Sequence, residues 1–230
     1  MKHFASLLFC LACWWGAPQA AAQTYDQANM QLQFMNHYGQ VGRKGGPAIN
    51  VEGSPYFADD WQAVNLSTKD TTLRFEQVKL NLMTSNLEVL YRGEEKVVYS
   101  AHYRKVTLLN GATLIPANRY VYENKALNGF VELLGEGPVQ VLVNHYIYIR
   151  PPNPQANIVG GPTVDKLMKS SDLYLFDGES LQPIKKKKDL QIFYRKQAKT
   201  LDRYLKENKM DIKDPQELLN LVEFIERGNS

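Results

Sequence analysis

Between Trp61 and Leu109 apolar and polar residues alternate with a period of two, the spacing that sets one side of a β-strand against a core. Val64 and Leu66 precede a polar Lys69-Asp70 turn, and Leu73 and Phe75 share one side of the next strand. The parity then switches. Val78, Leu80 and Leu82 alternate one residue out of step, so Glu76-Gln77 is read as a bulge or bend that keeps the apolar side inward. Ser85-Asn86 and Arg92-Gly93-Glu94-Glu95 are turn candidates on either side of the strand carrying Leu87, Val89 and Tyr91. Strands this closely spaced predict an antiparallel meander.

The alternation continues through Val106 to Leu109, Leu114-Ile115 and Tyr120 to Tyr122, and Phe130 to Leu134 with Gly135-Glu136-Gly137-Pro138 opens a hairpin. In its second strand Val139, Val141, Val143, His145, Ile147 and Ile149 fall on one side, read as the core side, and Gln140, Asn144, Tyr146, Tyr148 and Arg150 on the other. Pro151-Pro152-Asn153-Pro154 ends it, because proline has no N–H for a ladder. Leu173 to Phe176 and Leu181 to Ile184 flank Asp177-Gly178, a two-residue hairpin signal.

Beyond Asp189 the period becomes helical. Leu190, Phe193, Tyr194, Leu201 and Leu205 lie on one stripe, and a second helix opens at Asp214, where Pro215 suits the first helical position and Glu217 completes an Asp-x-x-Glu capping box. The expected fold is α+β: a mostly antiparallel twisted sheet or open barrel over 54–184, with a helical hairpin over 185–230 docked on it. Gln23 to Met35 is read as a short helix or an extended arm, and Tyr38 to Gly53, rich in glycine, as a flexible lead-in, so 23–53 is expected to be a mobile arm.

The first 22 residues change the picture. A basic start at Lys2, an apolar run from Phe4 to Ala17 and small residues at Ala20-Ala21-Ala22 form the layout of a signal peptide, with cleavage expected before Gln23. Both cysteines, Cys10 and Cys13, fall inside this leader, which leaves no thiol for disulfides or catalysis in the mature chain. Cys10-Leu11-Ala12-Cys13 also resembles a lipoprotein box, so acylation at Cys13 stays open beside cleavage before Gln23. No other stretch reaches the roughly 18 apolar residues of a membrane-spanning helix, so no transmembrane segment is expected after the leader. The chain has 230 residues and a formal net charge of +3, too small an excess to indicate a nucleic-acid partner.

Gly53-Ser54-Pro55-Tyr56, the strand Val78 to Leu82 with Leu87-Glu88-Val89, Phe130 to Val143 and the tail Tyr204 to Lys209 occur here in that order. In these stretches the chain resembles a family of exported proteins of unassigned role from Bacteroidota-type Gram-negative bacteria. The resemblance implies a location, the periplasm or the outer membrane, and this architecture; it carries no catalytic residue.

Tests for chemistry return little. His37, His102 and His145 are widely spaced with no cysteine nearby, which does not fit a zinc site, and nucleophile-elbow, zinc-protease and phosphate-loop motifs are missing from the sequence, so no metal or cofactor is expected. Asp59-Asp60 and Glu94-Glu95 are adjacent on strands and turns and point to opposite sides, so a hydrolytic carboxylate pair would have to assemble in the fold. The sharpest charge feature is Lys185, Lys186, Lys187 and Lys188; from Lys185 to Lys206 nine basic residues stand against two acidic ones. This run is read either as a solvated start of a helix capped by Asp189 or as a surface for an anionic envelope component. Tyr146 and Tyr148, opposite the expected core side, are read either as packed under helices or as a face for a partner protein. The functional expectation is a non-catalytic binding protein of the cell envelope, with a periplasmic carboxylate-pair hydrolase as the alternative.

Overall fold

The alternating stretches become one open sheet in a computed structural model of the chain, which describes residues 19–41, 51–135, 137–152 and 164–228. The strands are β1 (Gln40–Val41), β2 (Val51–Glu52), β3 (Gln62–Ser67), β4 (Thr72–Asn81), β5 (Asn86–Tyr91), β6 (Glu94–Val98), β7 (Lys105–Leu108), β8 (Thr113–Pro116), β9 (Val121–Tyr122), β10 (Lys125–Ala126), β11 (Phe130–Leu133), β12 (Gln140–Arg150), β13 (Asp165–Phe176) and β14 (Leu181–Pro183). The helices are α1 (Gln19–Tyr38), α2 (Lys187–Phe193), α3 (Ala198–Glu207) and α4 (Pro215–Arg227). The sheet order is β1-β6-β5-β4-β3-β7-β8-β11-β12-β13-β14; β2 lies beside β13 as the parallel pair, and β9 and β10 form a separate ladder. The architecture is α+β, and the sheet does not close into a barrel.

Register explains which side is buried. Val64 faces Leu108 and Leu66 faces Val106, Val106 faces Leu114, and the same side continues through Phe130 to His145 and through Val141 to Leu175. The parity switch in β4 is a real bulge: β3 pairs Val64 with Phe75 but Gln62 with Val78, so Glu76 and Gln77 together face the single residue Ala63. Both are exposed, while Leu73, Phe75, Val78 and Leu80 are all buried. At Asp177-Gly178 the turn sits one residue later than read: Asp177 and Ser180 close it, and the Asp177 carboxylate accepts the Glu179 and Ser180 amides at 3.1 and 2.7 Å.

The expected mobile arm needs correction. Gln23 to Tyr38 belongs to α1, and its Phe34 and Met35 are buried in the core of β3 to β8, with Phe34 against Phe75 at 6.2 Å between ring centroids. Gln31 Nε2 donates to the Arg74 carbonyl, and Tyr38 stacks on His102 at 4.6 Å, so both β4 and the Ser100–His102 turn hold the helix. Met30, Phe34, Met35 and Tyr38 form only a narrow apolar stripe among Gln and Asn, which is why helical periodicity was faint there. After it, β1 pairs β6 and β2 pairs β13; residues 42–50 lie outside the described residues. Of the expected leader, residues 1–18 lie outside them too, and Gln19 to Ala22 already belong to α1.

The expected hairpin at the C-terminal end is three helices. A turn of 3₁₀ helix at Arg195–Gln197 separates α2 from α3, although neither Gly nor Pro marks it. Tyr194 ends α2 with its side chain buried beside Leu190 and Leu201, so tertiary anchoring sets the break. Helix α4 starts as expected: Asp214 Oδ1 accepts the Gln216 and Glu217 amides at 2.8 and 3.4 Å, with Pro215 at the first position. Glu217, however, reaches past Asp214 to accept the Asp211 amide at 2.5 Å. The stripe Leu218, Leu221, Val222 and Ile225 buries with Leu190 and Leu201 against Val141 and Leu175 of the sheet.

One backbone junction ties distant segments. Gly129 has φ +87° and donates its amide to Ser85 Oγ at 3.2 Å, while Tyr103, fully buried, donates its hydroxyl to the Ser85 carbonyl at 2.8 Å. A Cβ on Gly129 would stand 1.9 Å from the His145 carbonyl oxygen, whereas one on Gly111, at φ +91°, would meet nothing within 4 Å. Gly111→Ala therefore costs only left-handed strain, about 1–2 kcal/mol, and Gly129→Ala adds a backbone clash, for a total of about 3 kcal/mol or more. Urea unfolding of the two variants side by side checks this, and equal losses would contradict the close approach.

Candidate functional site

Lys185 and Lys186 join β14 to α2, Lys187 and Lys188 open that helix, and all four are exposed. Asp189, one turn in, accepts the backbone amides of Lys185 and Lys186 at 2.9 Å each, so its carboxylate fixes the backbone of the run and its charge faces main chain. The cationic character continues through Arg195, Lys196, Lys199, Arg203 and Lys206, each exposed, and none of the nine forms an ion pair with a described carboxylate. Lys199, Arg203 and Lys206 recur at helical spacing along α3, and with Asp202 and Glu207 they line a shallow surface depression of about 370 Å³. Arg203 lies over the Phe224 ring of α4 at 5.3 Å, which holds its guanidinium at the α3–α4 contact. Packing of Leu190, Tyr194 and Leu201 into one cluster fixes the backbone on which these cations stand.

Tyr146 and Tyr148 occupy the opposite side of β12 from Val141, the side that α2 to α4 do not cover. Tyr146 is half-buried and donates its hydroxyl to Asp172 Oδ2 at 3.2 Å; Tyr148 is 45% exposed. Part of this side is covered instead by the excursion through β9 and β10, where Tyr120 meets Phe176 at 5.6 Å and Tyr122 meets Tyr174 at 6.2 Å, both edge to face. Asn144 is 4% exposed, and its Oδ1 has no hydrogen-bond donor among the described residues. Tyr174, Asp172 and the buried Asn144 were not singled out from sequence. Asn144 and Asp172 face each other across the ladder on the side that α2 to α4 do not cover, next to a smaller buried cluster of Ala117, Val131, Leu142 and Tyr174.

The acids that the fold brings against another side chain meet donors. Glu88 accepts Tyr56 Oη at 2.7 Å and Asn81 Nδ2 at 3.0 Å, Glu132 pairs with His145 Nε2 at 2.9 Å, and Asp59 pairs with Lys169 at 3.3 Å. Lys79 lies between two rings, 5.0 Å from that of Tyr56 and 4.9 Å from that of Trp61. His37 and His102 both touch the Tyr38 ring, while His145 lies elsewhere, edge-on to Phe57 at 5.1 Å. Among the described residues no three His, Cys, Asp or Glu side chains converge as a metal site, and no helix is long and apolar enough to cross a membrane.

Several tyrosines sit where ionisation is disfavoured. Burial first, then the Glu88 hydrogen bond, pushes the Tyr56 hydroxyl well above its ordinary range; burial alone does so for Tyr103, and burial with Glu226 for Tyr194. Tyr174 is pushed up to about 12 by burial, Asp172, Tyr146 and Tyr122. A hydroxyl whose folded pKa is raised contributes stability that is intact below the unfolded value near 10 and is lost as pH climbs toward the folded value. Stability in urea is therefore expected to fall from about pH 10 upward, with absorbance at 295 nm showing these tyrosines ionise only as the chain unfolds. Ionisation of all 13 tyrosines near pH 10 in a still-folded chain would contradict the burial of these rings.

Comparison with protein-family models, with curated proteins and with solved structures finds no match to this chain.

Proposed function

We propose that this is an exported, non-catalytic protein of the cell envelope, periplasmic or outer-membrane-associated, that binds an anionic envelope component through the cations of Lys185 to Lys206. The observation that carries this reading is the set of nine exposed basic side chains on α2, α3 and their approaches, none neutralised by a described carboxylate. Such an array attracts phosphate-bearing or otherwise anionic surfaces at about 1 kcal/mol per cation near the surface, and salt weakens it over a Debye length. Export rests on the leader layout of Met1 to Ala22, and the resemblance to exported Bacteroidota-type proteins agrees with it. A partner protein docked on Tyr146 and Tyr148 is compatible with the same role. Cleavage before Gln23 would leave Phe34 and Met35 in place in the core; acylation at Cys13 would retain a membrane anchor, and intact-mass analysis of the natively produced chain separates the two. The carboxylate-pair hydrolase requires two acids facing one another, whereas Glu88, Glu132, Asp59 and Asp172 each face a donor.

Replacing Lys185, Lys186, Lys187 and Lys188 with Gln tests the reading on the folded protein. Binding to vesicles of phosphatidylglycerol and phosphatidylethanolamine at low salt is expected to weaken at least about tenfold, with the melting temperature little changed because all four side chains are solvent-exposed. Cosedimentation indistinguishable from that of the parent protein, or insensitive to added salt, would remove the basis for an electrostatic surface site.

A further inference from the structure

On the side of the β12–β13 ladder away from the helices, three groups share one chemistry. Asn144 stands directly across the ladder from Asp172, and its buried Oδ1 is an acceptor without a donor among the described residues. Asp172 is half-buried and forms no ion pair with a described cation; among the described residues its side chain accepts the hydroxyl of Tyr146. The rings of Tyr146 and Tyr148 follow Asn144 at two-residue spacing, so they share its side of the strand, and Tyr174 lies beside Asp172 on the facing strand. The Tyr174 hydroxyl is raised partly by Asp172 and Tyr146, in keeping with a locally negative corner.

The corner therefore offers acceptors and ring faces: a carbonyl, a carboxylate, and a tyrosine whose proton is already given to that carboxylate. An anion would be repelled. A sugar hydroxyl would find donors in the Asn144 amide and the Tyr148 hydroxyl, but it would leave the Asp172 charge without a counter-charge. An ammonium group brings only donors and positive charge, which suit an unpaired carboxylate, an orphan carbonyl and aromatic faces together. We propose that this corner binds an alkylammonium group, with Asp172 as the counter-charge, Asn144 Oδ1 as the inner acceptor and the Tyr146 and Tyr148 rings beside the alkyl stem. The inference is independent of the basic run, which belongs to the helices on the other side of the sheet.

Titration of the full chain with Nα-acetyl-lysine N-methylamide and with n-butylammonium, followed by ¹H–¹⁵N NMR, tests it. Saturable shifts centred on Asn144 and Asp172 are expected, with at least about a tenfold weakening in Asp172→Asn and retained or tighter binding in Tyr146→Phe, which keeps the ring and frees the carboxylate. Tighter binding of the lysine amide would identify a peptide lysine as the source, and equal binding a free amine; both support the site. The Nε-acetylated lysine amide, alike in length but without charge, should not bind, and this comparison needs no variant to fold. Equal binding of the acetylated probe, undiminished binding in a folded Asp172→Asn, or no saturable shift at tens of millimolar would overturn the proposal.

Discussion

An open sheet leaves its apolar side as one continuous surface, and that surface must be covered by something other than the sheet itself. Here two separate helical layers do it. Helix α1 lays Phe34 and Met35 over β3 to β8, and α2 to α4 lay Leu190, Leu201, Leu218, Leu221, Val222 and Ile225 over Val141 and Leu175. Neither layer forms without the sheet, since each helix is apolar on one stripe only, and the sheet would expose both halves without them. Between the two layers lies a polar seam on the same side: Glu132 and His145, hydrogen-bonded at 2.9 Å and roofed by Phe57. Polar groups at such a depth are tolerated because each serves the other.

Phe57 reaches that seam because the chain from β2 to β3 crosses the sheet. It leaves β13 through the parallel pairs Val51 with Asp165 and Glu52 with Lys166, takes its place beside β4, where Phe57 N–H donates to the Leu80 carbonyl and Leu82 N–H to the Pro55 carbonyl, and then ties Asp59 to Lys169. The end of β4 is open to the segment Pro55 to Phe57 because β3 begins at Gln62, opposite Val78, and the same segment places Tyr56 against Glu88 and Lys79.

The strands were legible because burial here acts through a period of two, and even the parity switch at Val78 announced its bulge. Helix α1 was legible only as one of two alternatives, a short helix or an extended arm, because glutamines and asparagines dilute its stripe and it is held by contacts with Phe75, the Arg74 carbonyl and His102. The break at Tyr194 was silent, having no Gly or Pro to mark it. For the candidate sites the division is similar. Lys185 to Lys188 are contiguous and could be read directly, as could Tyr146 and Tyr148, but the environment of a side chain depends on which strand lies next to it. Asn144 and Asp172 are 28 residues apart and become neighbours only through the β12–β13 register.

That register also decides how the two surface chemistries relate. Along β12 and β13 every residue that points toward α2 to α4 alternates with one that points away. The helices carry an excess of cations, and the opposite side carries a carboxylate without a described cation, a carbonyl without a described donor, and tyrosines. Since the sheet separates them, an anionic surface held at α2 and α3, as proposed above, would leave the tyrosine side turned outward from that surface.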